Sequence, residues 1–453
     1  MYFTRHQTNI ALLALGTTLA ACVPPAARRG TQGVESVLAT RGDTRFSGLR
    51  LDSTPPQAPR IPAGPLALDS AARLALVRSP HVRAVLADVG IAAADLWQAS
   101  RLTNPTVNGN YGFRQGGGTA LSGIGVGFSV ISALQVPLKK RIAAAELRSA
   151  EQRVADAVYD AVLDVQRAYV AVQHAQQMVE LRQNVAQVTA ASAAVAKALR
   201  EAGNLPALDV AAEEAMAAES VTGIASADAE LALARAELGR LMGAGVSDTA
   251  WTIGPLLENP TREMWPLAMM DSLALSRRMD IASAREGAEA AAHALGLSRR
   301  FRLLPDGTIG ASFERDPDGQ FVGPTASVTL PLFDRGGAAV ARARSALAQR
   351  VATHDALVVN AHAEVRSALA HLETAQRRAL QIRTVVLPAR RRVVTESQLQ
   401  TNAMALPVFA LLQARQMEID AGQMYLDALR DYWFARAELE RATGGPLPVP
   451  SVP

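Results

Sequence analysis

The sequence predicts a mainly α-helical protein with a small β part, in which two halves of the chain repeat the same order of elements. Three observations lead to this prediction: a seven-residue apolar period in very long segments, two pairs of short alternating segments, and short motifs that occur twice. We therefore expect a long antiparallel α-helical coiled-coil tunnel (an α-barrel), with four β-strands per chain contributing to a trimeric twelve-stranded β-barrel.

The start of the chain has the features of an export signal. Ile10 to Leu19 is almost wholly apolar but too short to span a bilayer. Leu19-Ala20-Ala21-Cys22 follows and looks like a lipobox, so we predict that residues 1–21 are a signal peptide and that Cys22 is lipidated. The alternative is an ordinary signal peptide that ends near a cysteine.

Cys22 is the only cysteine, which excludes a disulfide within the chain and a cysteine-based metal site. In bacterial lipoproteins an aspartate after the lipidated cysteine favours retention in the inner membrane, so Val23 fits export to the outer membrane. The following segment is rich in proline, alanine, arginine and glycine, and we predict that residues 22–65 form an extended tether.

Composition narrows the possible functions. No later apolar run approaches the roughly 20 residues of a spanning helix, so we expect any membrane crossing to be made by strands. The formal net charge of +4 is too mild for a nucleic-acid surface. The sequence shows no nucleophile elbow, phosphate-binding loop or dinucleotide motif, so we predict neither an enzyme nor a cofactor.

An internal repeat divides the chain. Ala-Arg-Ala-Glu-Leu occurs at residues 234–238 and again at 435–439, and Leu205-Pro206 recurs at the same separation as Leu406-Pro407. The predicted first repeat is 66–243, with equatorial helices at 66–102, strands at 103–137 and long helices at 138–243. The predicted second repeat is 264–445, with equatorial helices at 264–304, strands at 305–332 and long helices at 333–444. Residues 244–263 are a linker and residues 446–453 a tail.

The long segments predict helices that wrap around one another. Residues 138–202 contain no proline and would form a helix roughly 100 Å long. Apolar residues recur every seven positions in both halves: Val158, Val165, Val172 and Val179, then Val351, Val358, Val365, Leu372, Ala379 and Val386. The stripes are narrow with polar flanks, which favours a hollow tube; a periplasmic coiled-coil scaffold is the alternative.

The strand-like stretches are Thr106 to Phe113, Ser122 to Ser132, Thr308 to Phe313 and Thr325 to Leu332. They alternate, loosely, small or polar residues with apolar ones, which is typical of a transmembrane barrel but weak per segment. Four strands cannot close a pore, whereas four from each of three chains can. The alternative is two soluble hairpins that cap the helices.

Several segments resemble the TolC-like outer-membrane factor family. The resemblance lies in the Ser79-Pro80 break, Asn104-Pro105 before the strands, Pro331 to Gly336 after them, Leu387-Pro388, and Gly203 to Val210. The lipidated branch, often partnered with resistance-nodulation-division pumps, fits best. The resemblance implies a homotrimer that is lipid-anchored in the outer membrane, with a large periplasmic part that meets an adaptor protein and an inner-membrane pump.

The function implied is passive conduction in a tripartite efflux pump for heavy-metal ions or drugs; an exit duct for type I protein secretion shares the architecture. We expect the free helix ends to dock the adaptor, at Gly203, Asn204, Leu205, Pro206, Leu406 and Pro407. Family members often hold entrance carboxylates where this chain has the neutral Ala410 and Gln413. Asp209 and Glu213 of the first repeat therefore form the candidate constriction ring; alternatively, Asp209 simply starts a helix.

Histidines and methionines do not predict a metal site. His354, His362 and His371 are spaced by eight and nine residues, which does not give the close pair that a metal needs. His354 falls on the seven-residue stripe, where packing or hydrogen bonding explains it better. The methionines near the second repeat's start could be soft ligands, but methionine is also an ordinary gap-filler at helix contacts, which is the interpretation we prefer: Met264, Met269, Met270 and Met279.

Overall fold

The computed structural model describes residues 26–41, 43–46, 51, 60–112, 121–245, 248, 250–254, 259–260, 264–304, 307–316 and 319–448. Cys22, the signal segment and the glycine-rich link at 115–119 lie outside the described residues. Within the described part, no helix combines the length and the apolar character needed to cross a membrane.

The same order of elements occurs twice along the chain. The first half contains α1 (Ala26–Ala39), β1 (Gly64–Leu66), α2 (Leu68–Arg78), α3 (Pro80–Ala99), β2 (Thr106–Gly112), β3 (Leu121–Ser129), α4 (Val130–Glu201) and α5 (Ala207–Leu241). The second half contains β4 (Trp251–Ile253), α6 (Leu267–Arg277), α7 (Met279–Arg300), β5 (Gly307–Asp316), β6 (Gly319–Val328), α8 (Gly337–Gln381), a π-helical turn (Ile382–Val386), α9 (Leu387–Asn402) and α10 (Val408–Thr443). The predicted combination of long helices and a small β part is confirmed.

The chain forms two compact units. One contains the described residues up to Val34 together with 87–151 and 289–347, and it holds the main sheet. The other contains 35–86, 152–288 and 348 to the end of the described chain, and it holds most of each long helix. The unit boundaries at residues 151 and 347 fall inside α4 and α8, so each of these helices contributes to both units.

The seven-residue stripe of α4 is buried, as a helix-packing seam requires. Val158, Val165 and Val172 are at most 1% exposed, and Tyr159 beside them is equally buried. In α8 the stripe is buried from Val365 onward, whereas Val351, nearer the start of the helix, is 44% exposed. The stripe therefore packs within the chain over most of its length, and its first part faces outward.

The main sheet has four antiparallel strands in the order β2-β3-β5-β6. Its central pair joins the two halves of the chain, with Val126 opposite Ala311 and Ile124 opposite Phe313. A second, two-stranded sheet pairs β1 with β4 in parallel, so the predicted linker at 244–263 contains a short strand. Strands β2 and β6 are the edges of the main sheet, and each has a neighbour on one side only among the described strands.

Two predicted boundaries were wrong. The segment predicted as an extended tether contains α1, because its prolines lie at 24–25 and 55–65 and leave 26–39 free to form a helix whose Val34 and Leu38 share one buried face. Helix α4 begins at Val130 instead of Leu138 and includes Pro137. One proline removes only one backbone donor, and here that loss does not end the helix.

The predicted strand ends also shift. The stretch predicted to end at Ser132 leaves the sheet at Ser129 and continues directly as α4. In the second hairpin, β6 runs over Gly319–Val328, because Gly319 pairs with Asp316 at the end of the hairpin. Leu332 therefore lies beyond the strand, in the connection that leads to α8.

Candidate functional site

The two turns that join the long helices have the same backbone geometry. Gly203 adopts φ of +77° and Met404, which is 201 residues later, adopts φ of +57°. Asn204 N–H donates to the Leu199 carbonyl at 2.8 Å, and Ala405 N–H donates to the Gln400 carbonyl at 2.9 Å. These left-handed residues and six-to-one hydrogen bonds are a Schellman motif, which ends a helix by satisfying its last carbonyls.

Prolines then start the returning helices. Pro206 is the N-cap of α5 with φ of −61° and ψ of 149°, and Pro407 is the N-cap of α10 with φ of −60° and ψ of 145°. In the first turn the Arg200 guanidinium also donates to the Leu205 carbonyl at 3.1 Å. The predicted tip residues thus form two matched turns that expose Gly203, Asn204, Pro206 and Pro407 and partly bury Leu205 and Leu406.

The two candidate ring carboxylates have different surroundings. Asp209 is exposed in the first turn of α5, where a negative charge also favours the helix N-terminus. Glu213, one turn later, is half-buried and accepts a hydrogen bond from the Ser192 hydroxyl of α4. Glu213 is therefore hydrogen bonded to the neighbouring helix of its own hairpin, whereas Asp209 makes no such bond among the described contacts.

The main sheet has two chemically distinct faces. Cross-strand pairs place apolar residues together on one face: Val107, Tyr111, Ile124, Val126, Phe128, Ile309, Ala311, Phe313, Val322 and Pro324. The other face carries mostly small and polar residues: Thr106, Asn108, Asn110, Gly125, Thr308, Ser312, Glu314 and Thr325. The separation is incomplete at the end of the sheet where β3 and β6 begin, because Leu121 and Phe321 lie on the polar face there and Ser122 and Arg315 on the apolar face. The described residues leave the apolar face uncovered, since Val107 is 64% and Val322 is 77% exposed.

A buried charged cluster joins the N-terminal segment to the long helices. Arg45 is 9% exposed and donates to the Asp43 carboxylate from Nε and Nη2, at 2.6 to 2.9 Å. Arg45 also donates to Gln166 at 2.9 Å and lies 3.7 Å from the Glu440 carboxylate near the end of α10. Burial lowers the pKa of Arg45, but hydrogen bonding to Asp43 and the nearby carboxylates outweigh it and raise the pKa above its usual value.

A second charged cluster joins Arg441 of α10 to aspartates of α4. The Arg441 guanidinium lies 2.8 Å from Asp160 and 3.0 Å from Asp164. Burial, with the nearby charges of Asp160 and Asp280, raises the pKa of Asp156 to about 7, although Arg278 and Arg441 oppose the shift. Asp156 therefore holds a proton over part of the neutral pH range.

The histidines make carboxylate contacts within the chain. His174 lies 2.9 Å from Asp427, and burial of its ring lowers its pKa. His354 contacts its neighbour Asp355 at 3.2 Å, and His362 contacts Asp271 at 3.2 Å. Over the described ranges, no three His, Cys, Asp or Glu side chains come close enough together to hold a metal ion.

Comparison with solved structures identifies this fold. A membrane protein from Pseudomonas aeruginosa aligns with a TM-score of 0.72 at 19% identity, over 86% of this chain and 99% of that chain. The Campylobacter jejuni CmeC outer membrane channel aligns with a TM-score of 0.72 at 15% identity, over 83% and 85% of the two chains. This chain has the fold of the outer-membrane channels. The open state of the Neisseria gonorrhoeae MtrE outer membrane channel gives a TM-score of 0.67 at 19% identity, over 83% and 89%.

These structures align with 83 to 86% of this chain, so the resemblance to the TolC-like family is confirmed at the level of the fold. No protein-family model and no curated protein matches the sequence. The comparisons establish the fold, and the roles of individual residues rest on their geometry in this structure.

Sequence reasoning missed the cluster around Arg45. Asp43 and Arg45 lie in the segment predicted to be an extended tether. Their contacts with Gln166 and Glu440 join positions far apart in the sequence, and such contacts leave no periodic signal. Val34 and Leu38, four residues apart and at most 1% exposed, were the available sign that this segment packs against the body.

Proposed function

We propose that this protein is the outer-membrane channel of a tripartite efflux pump, which passively conducts heavy-metal ions or drugs out of the cell. Three copies assemble, and their four-stranded sheets join edge to edge into one closed sheet in the outer membrane. The long helices extend into the periplasm, where their turns meet an adaptor protein and, through it, an inner-membrane pump of the resistance-nodulation-division type. Cys22, outside the described residues, carries the lipid anchor.

The observation that carries this proposal is the exposed apolar face of the main sheet. A soluble protein rarely leaves such a continuous apolar surface uncovered. Strands β5 and β6 have ten residues each, which is the length of a tilted strand that crosses a bilayer. Polar and small residues on the opposite face suit a water-filled interior. The edge strands β2 and β6 each have one open side that can pair with a strand of another copy.

The two helix turns support adaptor docking. They are the free ends of the antiparallel long-helix pairs, and Met404 is 95% exposed at one of them. A side chain so exposed and apolar, held in an unfavourable backbone conformation, has no role in packing within this chain. Docking there would bias the turns between closed and open arrangements, which is a population shift driven by the partner.

Asp209 is the candidate for a cation-attracting ring at the entrance, supplied once by each of three copies. Its exposure fits this role better than the tied position of Glu213. Asp209→Ala should lower the preference of the reconstituted channel for cations over anions, measured as a shift in reversal potential under a salt gradient. Unchanged selectivity would leave Asp209 with the role of a helix-starting acid.

Growth inhibition of a deletion strain tests the efflux role. The deletion strain is compared with its parent, and with the deletion strain that carries the gene on a plasmid, across copper, silver, zinc, cobalt and cadmium salts and a panel of amphipathic dyes and drugs. Sensitivity to either class that the plasmid reverses supports efflux and names the cargo class. Normal growth on both panels, in a strain shown to express the partner pump, would contradict it.

A further inference from the structure

A groove of about 640 Å³ lies between α4, α5 and the start of α10, all within the larger unit. Its size is that of a typical site for a drug-sized molecule. Its apolar walls come from Val188, Met216, Phe409, Leu412 and Met417. Methionine and phenylalanine give such walls an adaptable, polarisable surface, which suits flat aromatic ligands of varied shape.

Hydrogen-bond acceptors are concentrated in this groove. Glu213 and Asp420 line it, and no lysine or arginine is found among its described lining residues, although the Arg390 guanidinium reaches the sulfur of the lining residue Met417 at 3.1 Å. Gln416 donates from Nε2 to Asp420 Oδ1 at 3.0 Å, which orients its amide. The Gln416 Oε1 atom is then buried and has no hydrogen-bond partner within the described structure. A buried acceptor without a donor is costly, so a donor from a ligand would be favoured here.

The charge around the groove has one sign along α5. Residues 207–234 contain Asp209, Glu213, Glu214, Glu219, Asp228 and Glu230 but no lysine or arginine. Among them, Glu214 forms an ion pair with Lys197 of α4 at 3.2 Å. Such a run raises the local concentration of cations.

We propose that this groove binds an amphipathic organic cation, with an aromatic body against the methionine and phenylalanine walls. Its protonated or alkylated amine lies by Glu213 and Asp420, and an N–H group donates to Gln416. An inorganic ion suits the groove less, because Glu213 and Asp420 are its only described carboxylates and no three His, Cys, Asp or Glu side chains among the described residues come together to hold a metal. Binding does not require conduction, so this inference is tested separately from the proposed function.

The test is fluorescence polarisation of rhodamine 6G, an aromatic cation with N–H groups, titrated with the purified full-length protein in detergent. The Glu213→Gln/Asp420→Asn double variant keeps both acceptor shapes and removes both charges. We expect saturable binding to the wild type and a Kd at least about fivefold weaker for the double variant. A matched control, Glu219→Gln/Asp228→Asn, removes the same charge from exposed positions outside the groove and should stay within about twofold.

A steric variant separates the groove from general charge effects. Ala410 lines the groove, so Ala410→Phe should fill it without any change in charge and weaken the binding by a similar factor. Circular dichroism and size-exclusion chromatography verify that each variant is folded. Absence of saturable binding to the wild type, equal losses in the groove and control pairs, or full binding by Ala410→Phe would each overturn the proposal.

Discussion

Gly203 and Met404 occupy the same position in two turns of the same geometry, although one residue has no side chain and the other has a long one. Both have positive φ, and both precede the residue whose N–H closes the six-to-one hydrogen bond. For glycine this conformation carries no steric cost, whereas for other residues it costs roughly 1 to 2 kcal/mol. The second turn therefore stores backbone strain that the first does not.

Exchanging these residues should reveal that strain. We expect Met404→Gly to raise the stability of the folded protein by about 1 kcal/mol, because it relieves the left-handed conformation. Gly203→Ala should lower it by a similar amount, and since a Cβ there would meet nothing within 4 Å, the loss is conformational rather than steric. Chemical denaturation measures both. The same direction of change in both variants would contradict this account of the turns.

Substitutions at two adjacent residues, Ala311 and Ser312, can test the two faces of the main sheet separately. Ala311 lies on the apolar face opposite Val126, and Ser312, the next residue, lies on the polar face opposite Gly125. Ala311→Arg should cost about 2 to 4 kcal/mol in lipid and reduce the amount of protein found in outer-membrane fractions. Ser312→Arg is the matched control and should insert normally. Equal insertion of both variants would show that the apolar face does not meet lipid.

Removal of the Arg45 charge alone should destabilise the protein more than removal of the Arg45 and Asp43 charges together. Arg45→Met leaves Asp43 buried without its counter-charge and removes one of the two guanidinium groups beside Glu440, the other being that of Arg436 at 3.6 Å. We expect a loss of about 3 to 5 kcal/mol in the free energy of unfolding. Adding Asp43→Asn should recover part of that loss, because the uncompensated carboxylate is then gone. Urea unfolding measures both variants. If the double variant were less stable than Arg45→Met, burial of the unpaired charge would not be the cause.

Stability should fall as the pH rises from about 4 to 7 through the contribution of Asp156. Its folded pKa of about 7 lies above the unfolded value of 3.8, so the folded state binds the proton more tightly and loses this advantage once the carboxyl ionises. Asp156→Asn should therefore weaken the fall in melting temperature between pH 5 and pH 8. Asp228→Asn, an exposed control, should leave that difference as in the wild type. An unchanged difference in Asp156→Asn would contradict the raised pKa.

The parts of this fold that follow a period were predictable from the sequence. The seven-residue stripe at Val158, Val165 and Val172 predicted a buried seam, because a repeated spacing specifies which face of a helix packs. The alternation around Val126 predicted a two-faced strand for the same reason. The motifs that occur in both halves predicted two similar turns. The structure shows that both turns have the Schellman backbone conformation, with positive φ at Gly203 and at Met404.

Features that depend on single contacts were not predictable. Helix α1 was not predicted because prolines on either side give the segment the composition of a linker. The Arg45 cluster was not predicted because it joins residues that are far apart in the sequence. The attachment of Glu213 to Ser192 depends on how α4 and α5 are rotated in their hairpin, which a periodic pattern does not specify to within one side chain. The start of α4 at Val130 was missed because Pro137 was given too much weight.

The most direct test of the central claim is conductance in planar lipid bilayers. Wild-type protein purified from outer-membrane fractions is added at nanomolar concentration, and cross-linking first establishes whether it is folded and trimeric. We expect uniform stepwise increases in current from the wild type, with few or none from an equal amount of Ala311→Arg. A folded wild-type trimer that inserts into lipid but carries no current would contradict the proposal that this protein is a channel.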